Sequence, residues 1–262
     1  MADAPRYRVE REVYQSKMHV PEEADAVAYR AVSGLAVAGL LLGLFAPLAL
    51  VVQPMWLAAI AGVVINVVAL RRIAAGAPAL VGRKAALVGL TLSAIFFAAV
   101  PADWLSYRWL LRDEARKCAA IWFDYLRAGQ PQKAYQLTIG PPMRDRLDDS
   151  LWEFFREGSD GRTMLNGFIH RPGVGALIAL KDKATVRFYD TESQWSEKDL
   201  DHVYQTYAVT YPDSEGLKTF FVGLVLDRSM DGRTGHAYWQ ISRIDGGVKP
   251  KWLGGSGEPP KI

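Results

Sequence analysis

The chain has 262 residues, half of them hydrophobic, and a formal net charge of +3 at neutral pH. This length allows one membrane unit and one soluble domain of ordinary size. Residues 1–30 carry five basic and six acidic side chains, residues 31–102 carry four basic and no acidic ones, and residues 103–262 carry 22 of each sign. The excess positive charge therefore lies between apolar stretches and not on a phosphate-binding surface, which argues against nucleic acid as a partner.

The first thirty residues mix charges of both signs and contain Pro21. Such a composition is typical of a solvated, partly disordered tail. The tail is too long and too acidic for the positive region of a signal peptide. We therefore expect the first apolar stretch to stay in place as an anchor.

Two uncharged stretches follow the tail, residues 31–70 and residues 85–102. At about 1.5 Å per helical residue, the first can cross a hydrocarbon layer of roughly 30 Å twice and the second can cross it once. A turn at Gln53 and Pro54 divides the first stretch. The sequence thus predicts a membrane domain over residues 31–104, with three transmembrane helices over about 32–52, 55–70 and 85–102.

Small and polar residues in these stretches predict how the helices pack. Gly39 and Gly43 form a pair of small residues four positions apart, which lets two helix backbones approach closely. Both dimerisation through this pair and packing on the chain's own second helix are open. Asn66 is expected to hydrogen bond between helices and not to form part of a transport path.

A basic loop sets the expected orientation. Four basic residues flank a segment that contains Gly and Pro: Arg71, Arg72, Arg83 and Lys84. Short loops rich in Lys and Arg stay in the cytoplasm, so the N-terminus is expected there as well. The third helix then ends on the far side, where Trp104, Tyr107 and Trp109 would form an aromatic belt at the membrane interface. The predicted location is the inner membrane, with an extracytoplasmic C-terminal domain.

Three segments of the membrane domain carry a resemblance. Residues 33–43 read Ser-Gly-Leu-Ala-Val-Ala-Gly-Leu-Leu-Leu-Gly, residues 69–73 read Ala-Leu-Arg-Arg-Ile, and residues 82–90 read Gly-Arg-Lys-Ala-Ala-Leu-Val-Gly-Leu. Together they resemble a bacterial domain-of-unknown-function family of small multi-pass membrane domains. Lys84 departs from the glycine often found after that arginine. The resemblance implies a protein of the bacterial envelope and brings no activity, because none is assigned to the family.

An extracytoplasmic domain is predicted over residues 105–246. Within it, the distribution of apolar residues changes at Asp113. Apolar residues recur every three or four positions as far as Leu126, which predicts an amphipathic helix, and shorter helical segments follow. After Lys183 the period becomes two, with turn signals between the segments. Four antiparallel strands are predicted over 184–195, 202–211, 217–227 and 235–245, followed by a flexible tail over residues 247–262.

Alternation within these strands predicts the residues that face the helices: Val186, Phe188, Tyr207, Val209, Tyr211, Phe220, Val222, Leu224, Leu226, Ala237, Trp239 and Ile241. Helices followed by an antiparallel meander wrap a curved sheet around a long helix, so the predicted fold class is α+β. This order, with the phrase from Trp122 to Thr138, is similar to the nuclear-transport-factor-like cone. In that superfamily the mouth of the cone holds a ligand, an active site or neither, so the resemblance selects no function.

Motifs for catalysis are missing from the sequence, which has no Walker loop, no Gly-x-Gly-x-x-Gly, no His-Glu-x-x-His and no paired cysteines. Residues 227–232 match the first half of a calcium loop, but Tyr238 stands where a Glu is required, so we predict a hairpin turn. His202 and His236 fall on the strand phase opposite the packed face and are expected to be exposed. No catalytic residue, metal or cofactor is predicted.

Six aromatic residues are candidates for lining a small-molecule pocket, with packing in the core as the alternative: Trp122, Tyr125, Tyr135, Trp152, Tyr207 and Trp239. The first hypothesis is that the helices in the lipid bilayer tether a non-catalytic domain that binds an envelope protein or component. The alternative is a small-ligand-binding or enzymatic domain that uses this pocket. A transporter is disfavoured, because Asn66 is the one strongly polar interior residue of the predicted spans.

Overall fold

The computed structural model describes residues 31–76, 80–157, 159–231 and 234–259. The predicted N-terminal tail, residues 1–30, lies outside the described residues. The chain divides into two compact units, Met1–Asp103 and Trp104–Ile262. One helix, α3 (Arg83–Arg127), contributes residues to both units.

The described residues of the first unit form α-helices, short 3-10 helices and one short pair of strands. Its elements are β1 (Ala31–Val32), α1 (Gly34–Phe45), two 3-10 helices (Ala46–Leu50 and Gln53–Met55), α2 (Trp56–Ala75), β2 (Leu80–Val81) and the first part of α3. The two short strands pair in parallel, with Ala31 opposite Leu80 and Val32 opposite Val81.

Two of the three predicted membrane spans form helices that are long and apolar enough to cross a membrane, namely α2 and α3. The prediction of one regular helix over the first span, residues 32–52, is wrong, because the α-helix has only 12 residues and continues as a 3-10 helix of five. Pro47 explains the change, since it lies in the first turn of the 3-10 helix and has no amide hydrogen for an α-helical bond. The other two helices exceed their predicted ends, at Ala75 and at Arg127.

Glycines allow the three helices of the first unit to pack closely. A Cβ atom on Gly43 would lie 2.7 Å from the carbonyl oxygen of Gly89, and one on Gly62 would lie 2.4 Å from the Ser93 hydroxyl. Asn66 is fully buried, and its Nδ2 donates hydrogen bonds to the carbonyl oxygens of Gly39 at 3.0 Å and Gly62 at 2.8 Å. The expected hydrogen bond of Asn66 between helices is therefore confirmed.

Helix α3 continues through Pro101. A proline has no amide hydrogen, so the carbonyl oxygen of Phe97, four residues earlier, loses its helical donor. The indole Nε1 of Trp56 donates to this oxygen at 3.5 Å, and the Trp56 and Phe97 rings stack with their centroids 5.9 Å apart. The Trp56 side chain therefore satisfies the carbonyl that the proline leaves open.

The second unit combines helices with one antiparallel sheet. After α3 come α4 (Pro131–Gln136), α5 (Ser150–Glu157), α6 (Ser159–Ile169), α7 (Val174–Leu180), β3 (Thr185–Glu197), β4 (Leu200–Asp213), β5 (Gly216–Met230) and β6 (Ala237–Gly246). The strands pair in the order β3-β4-β5-β6, each antiparallel to its neighbour. The predicted α+β class and the four-stranded antiparallel sheet are confirmed.

One face of the sheet packs against the helices and forms the core of this unit. From α3 the core takes Trp122, Phe123 and Leu126, all nearly inaccessible to solvent. Most of the predicted helix-facing residues belong to this core or pack on it: Val186, Phe188, Tyr207, Val209, Phe220, Val222, Leu224, Leu226, Trp239 and Ile241. The period of two therefore located the packed face correctly.

A β-bulge changes the alternation in β6. Leu226 pairs with Ile241 and Val225 pairs with Arg243, so Ser242 is an extra residue on that strand. Ile244 consequently faces the core, where it is 8% exposed, although strict alternation from Ile241 would have placed it on the opposite face.

The segment after β6 makes specific contacts with the sheet. The backbone amide of Val248 donates to the carbonyl oxygen of Phe221, and that of Lys251 donates to the Glu192 carboxylate at 3.1 Å. A 3-10 helix covers Lys251–Leu253. The sequence predicted a flexible tail over residues 247–262. It gave no sign of these hydrogen bonds to the sheet, because they join residues that are far apart in the sequence.

Candidate functional site

A groove runs along the second part of α3, between this helix and the sheet. Two adjoining pockets of about 790 and 340 Å³ form it, and both are lined by Asp113, Arg116 and Phe188. Volumes of this order are typical of small-molecule sites. We call it the α3–β3 groove; its walls are Leu105, Ser106, Trp109, Leu110, Arg112, Asp113, Arg116, Lys117, Ala120, Phe123, Asp124 and Arg127 from the helix, and Val186, Phe188, Asp190, Thr191 and Tyr207 from the sheet.

Arg116 lies at the junction of the two pockets. Its guanidinium carbon is 4.4 Å from the centre of the Phe188 ring, a distance at which the ring face attracts a cation. Within the described ranges, no carboxylate oxygen lies within 4 Å of the Arg116 guanidinium nitrogens. The groove therefore presents a positive charge that the protein itself does not neutralise by a direct ion pair.

The two aspartates of the helix wall are paired with other cations. Lys117 Nζ lies 2.6 Å from Asp113 Oδ2, and Arg127 lies 3.7 Å from Asp124. The hydrogen bond from Lys117 lowers the pKa of Asp113. Both pairs join residues one helical turn apart, so each carboxylate has its direct ion-pair partner on the same helix.

Glutamine side chains fix the helix on the sheet beside the groove. Gln194 accepts hydrogen bonds from the Nε atoms of Arg108 and Arg112 at 3.0 and 3.2 Å. Gln205, which is fully buried, donates to the backbone oxygen of Arg112 at 3.0 Å and accepts a hydrogen bond from the Tyr207 hydroxyl at 2.6 Å. Burial raises the pKa of Tyr207, so this hydroxyl stays protonated and acts as a donor.

A second polar cluster joins α3 to β4 and β5. Arg228 lies 3.3 Å from Glu114 and 3.6 Å from Asp201, and its side chain is only 12% exposed. Tyr107 donates to Asp201 and accepts from Arg228, and Trp239 donates from Nε1 to Glu114 at 3.0 Å. Burial, followed by the hydrogen bond to Asp201, raises the pKa of Tyr107. One arginine thus serves two carboxylates, an arrangement that holds the helix on the sheet.

His202 differs from the expected exposed histidine. Its Nδ1 lies 2.7 Å from Asp227 Oδ1, and its side chain is 15% exposed. The imidazole also stacks on Trp195, with ring centroids 5.0 Å apart. His202 and Asp227 are directly opposite each other on neighbouring strands, so this pair stabilises the sheet. The strand phase that we predicted was correct, but the exposure was wrong.

Five of the six candidate pocket aromatics lie within the packed core or against it: Trp122, Tyr125, Tyr135, Tyr207 and Trp239. Trp122 is 0% exposed and contacts Phe123 and Phe168 with edge-on geometry. Tyr135 packs on the same cluster, with its ring 5.4 Å from that of Phe168, and Tyr125 packs on it as well. For these residues the structure favours core packing, the alternative that we left open.

Two of these core aromatics also line pockets, and the sixth candidate, Trp152, is not part of the core. Tyr207 lines the α3–β3 groove, and Trp239 lines a separate pocket of about 370 Å³ that also includes Cys118 and Arg144. Trp152 is 46% exposed on α5. The sequence suggested aromatic residues as the lining of a ligand site. The structure shows that cationic side chains of α3, above all Arg116, also line the groove. The amphipathic pattern marked Arg116 only as part of a solvated face.

Cys118 is a buried residue on the side of α3 that packs into the core. Burial raises the pKa of its thiol to about 11. Because the thiolate is the reactive form, this cysteine is held in its unreactive state at neutral pH.

Acidic and histidine side chains do not gather into a metal site in the described part of the chain, where no group of three or more potential ligands occurs. Asp227, from the half-matching calcium loop, is the partner of His202. Met230 pairs with Ala237 on the neighbouring antiparallel strand, so residues 227–230 lie at the end of β5. Gly232 of the predicted turn lies outside the described residues.

Comparisons of the chain with protein-family models, with curated proteins and with solved structures find no match. The structure itself defines the class: an α+β domain with a four-stranded antiparallel sheet, whose first helix is continuous with an apolar helix of the preceding unit. The α3–β3 groove is a concave site of this domain, and Arg116 on its wall has no ion-pair partner among the described residues.

Proposed function

We propose that this protein is a multi-pass membrane protein that displays a non-catalytic binding domain outside the cytoplasm. The packing of the first unit carries the proposal. Its buried positions are mostly small, among them Ala36, Gly39, Gly43, Ala59, Gly62 and Ala69. Large apolar side chains point outward instead: Leu41, Leu44, Leu57, Val64, Ile95 and Phe97 are each 43% to 68% exposed. A soluble unit would bury these side chains, whereas helices in lipid pack through small residues.

Three crossings are supported by the length of the first helix. With its 3-10 continuation as far as Leu50, α1 extends about 28 Å at the usual rises of the two helix types. This is close to the roughly 30 Å of a hydrocarbon layer. The first predicted span is therefore long enough to cross, although it is shorter in residues than a regular transmembrane helix.

The orientation rests on charge. The segment between α2 and α3 is flanked by Arg71, Arg72, Arg83 and Lys84, and acidic residues are missing from residues 31–102. Short basic loops stay in the cytoplasm. Three crossings then place the N-terminus in the cytoplasm and the C-terminal domain on the other side of the inner membrane.

The binding role of the C-terminal domain rests on its surface. Exposed apolar side chains follow the end of the apolar helix at Trp104, Leu105, Trp109 and Leu110, each at least 48% exposed. The polar clusters described above hold α3 on the sheet through the Arg228–Glu114 ion pair and the hydrogen bonds of Gln194. The long helix beside a curved sheet also supports the proposed similarity to the nuclear-transport-factor-like cone. The proposed partner of this domain is an envelope protein or another envelope component.

Reporter fusions at the N-terminus, at Gly76 and at the C-terminus test the topology. A reporter active only in the cytoplasm should be active at the first two positions and inactive at the third, and a reporter active only outside should give the opposite result. The same side for Gly76 and the C-terminus would show that α3 does not cross. Opposite sides for the N-terminus and Gly76 would show that α1 does not cross.

A second candidate function, small-ligand binding, is favoured by the α3–β3 groove. The unpaired Arg116 and the volume of about 790 Å³ are the observations that support it. Ligand binding is compatible with membrane anchoring, so the two candidates describe different parts of one molecule.

A further inference from the structure

We infer that the α3–β3 groove binds a long-chain fatty acid, with its carboxylate at Arg116 and its acyl chain along Leu105, Trp109 and Leu110. This inference rests on the proposed membrane anchoring, because the bilayer supplies such a molecule. It goes beyond that proposal by naming the chemical class of the ligand and the residues that recognise its two ends.

The charged end of the groove is suited to a carboxylate. The guanidinium carbon of Arg116 lies 4.4 Å from the centre of the Phe188 ring, and no carboxylate lies within 4 Å of the guanidinium in the part of the chain that the structure describes. A guanidinium offers paired donors in one plane, which match the two oxygens of a carboxylate. A ligand anion could therefore bind Arg116 at the position that a carboxylate of the protein would occupy in an internal ion pair.

The other end of the groove is apolar. Leu105, Trp109 and Leu110 line the larger pocket and are 51%, 67% and 48% exposed. They lie in the second unit, immediately after the apolar stretch of α3. An acyl chain on these side chains would remove apolar surface from water at about 25 cal/mol per Å².

The dimensions favour a ligand with one chain. Leu105 and Arg116 are separated by about 17 Å along the helix axis at the usual rise per residue. This length is close to that of one leaflet of hydrocarbon, which is roughly half of 30 Å. The larger pocket has about 790 Å³, within the range of sites for small molecules.

Neighbouring carboxylates favour a ligand with a single negative charge. Asp113 is paired with Lys117, and Asp190 accepts hydrogen bonds from the Thr191 amide at 2.7 Å and from Trp252 Nε1 at 2.8 Å. Both carboxylates line the groove, and the hydrogen bond from Lys117 lowers the pKa of Asp113. A phosphate monoester, with nearly two charges at neutral pH, would be repelled more strongly than a carboxylate.

Photocrosslinking of the full chain in nanodiscs of zwitterionic lipid tests the inference. The probe is a palmitic acid analogue that carries a diazirine on its chain, and its methyl ester is the uncharged counterpart. Labelled peptides are identified by mass spectrometry. Labelling of the β3 peptide that covers residues 186–191 reports the groove, whereas labelling of α2 reports probe dissolved in the bilayer.

The acid probe should label the β3 peptide, and Arg116→Gln should lower this labelling about tenfold relative to that of α2. Arg187→Gln is the matched control, because Arg187 is exposed on β3 at a position that lines neither pocket. It should leave the labelling unchanged, and excess dodecanoate should compete with the acid probe. Thermal unfolding of both variants verifies that they are folded.

Equal labelling of β3 by the acid and by its methyl ester would overturn the inference, as would equal loss in Arg116→Gln and Arg187→Gln. Labelling of α2 without β3 would also overturn it and would leave the membrane proposal intact. An unlabelled α2 would count against membrane anchoring instead, so the failures of the two proposals are distinguishable.

Discussion

Replacement of Arg228 by methionine should destabilise the C-terminal unit strongly. The Arg228 side chain is 12% exposed, and it lies between Glu114 and Asp201, whose side chains are 30% and 17% exposed. Methionine keeps much of the volume and removes the charge. The two carboxylates, one on α3 and one on β4, would then lose their common counter-ion.

The expected loss is about 2 kcal/mol. Removal of one partner from a fully buried pair costs roughly 3–5 kcal/mol, and the residual solvent contact here reduces that value. The Nε of Arg228 lacks hydrogen-bond geometry toward Glu114 although the two atoms lie 3.3 Å apart, which is a second reason for the smaller value. For a domain of this size, about 2 kcal/mol lowers Tm by roughly 4–8 °C.

Thermal unfolding of the purified full chain in mild detergent measures this shift. The matched control is the triple variant Arg228→Met, Glu114→Gln and Asp201→Asn, which removes the charges together. It should recover more than half of the loss, because no buried carboxylate is then left without a partner. If Arg228→Met leaves Tm unchanged, or if the triple variant is less stable than Arg228→Met alone, the account of this cluster is wrong.

Three further predictions concern packing and titration. Trp122→Ala should cost about 4 kcal/mol of unfolding free energy by chemical denaturation, whereas Trp122→Phe should cost far less, because the buried indole N–H has no partner among the described residues. Gly43→Ala should lower the detergent Tm by several degrees, because its Cβ would lie 2.7 Å from the Gly89 oxygen, and Gly34→Ala, where the same atom meets nothing within 4 Å, should not. Maleimide should label Cys118 slowly in the folded chain and rapidly in denaturant. Burial raises the pKa of the Cys118 thiol to about 11 in the folded chain. The contribution of this thiol to the free energy of unfolding is therefore complete below the ordinary thiol pKa and is lost as the pH rises toward 11. In a series of unfolding measurements at different pH, Cys118→Ala should not show this decrease.

Local patterns in the sequence determined the elements and the packed face of the sheet. Alternation along each strand is a property of neighbouring residues, so Val222, Leu224 and Leu226 were assigned to the core correctly. The uncharged stretches likewise predicted apolar helices, since residues 31–70 and 85–102 contain no charge. The length of the first helix was wrong, because the change to a 3-10 helix at Ala46 is a local effect of Pro47 that the apolar pattern does not contain.

Only the tertiary structure decided which distant residues meet. Arg116 and Phe188 form the groove wall, and Arg228, Glu114 and Asp201 form one cluster, although each set is drawn from separate elements. No local period encodes such pairings, because they depend on how the helix lies across the sheet. The same reason accounts for Ile244, which a bulge at Ser242 turns into the core, and for Trp122, whose ring fills the core and does not line a pocket. The sequence alone therefore determined the elements and their apolar faces, and the packing between elements determined the candidate site.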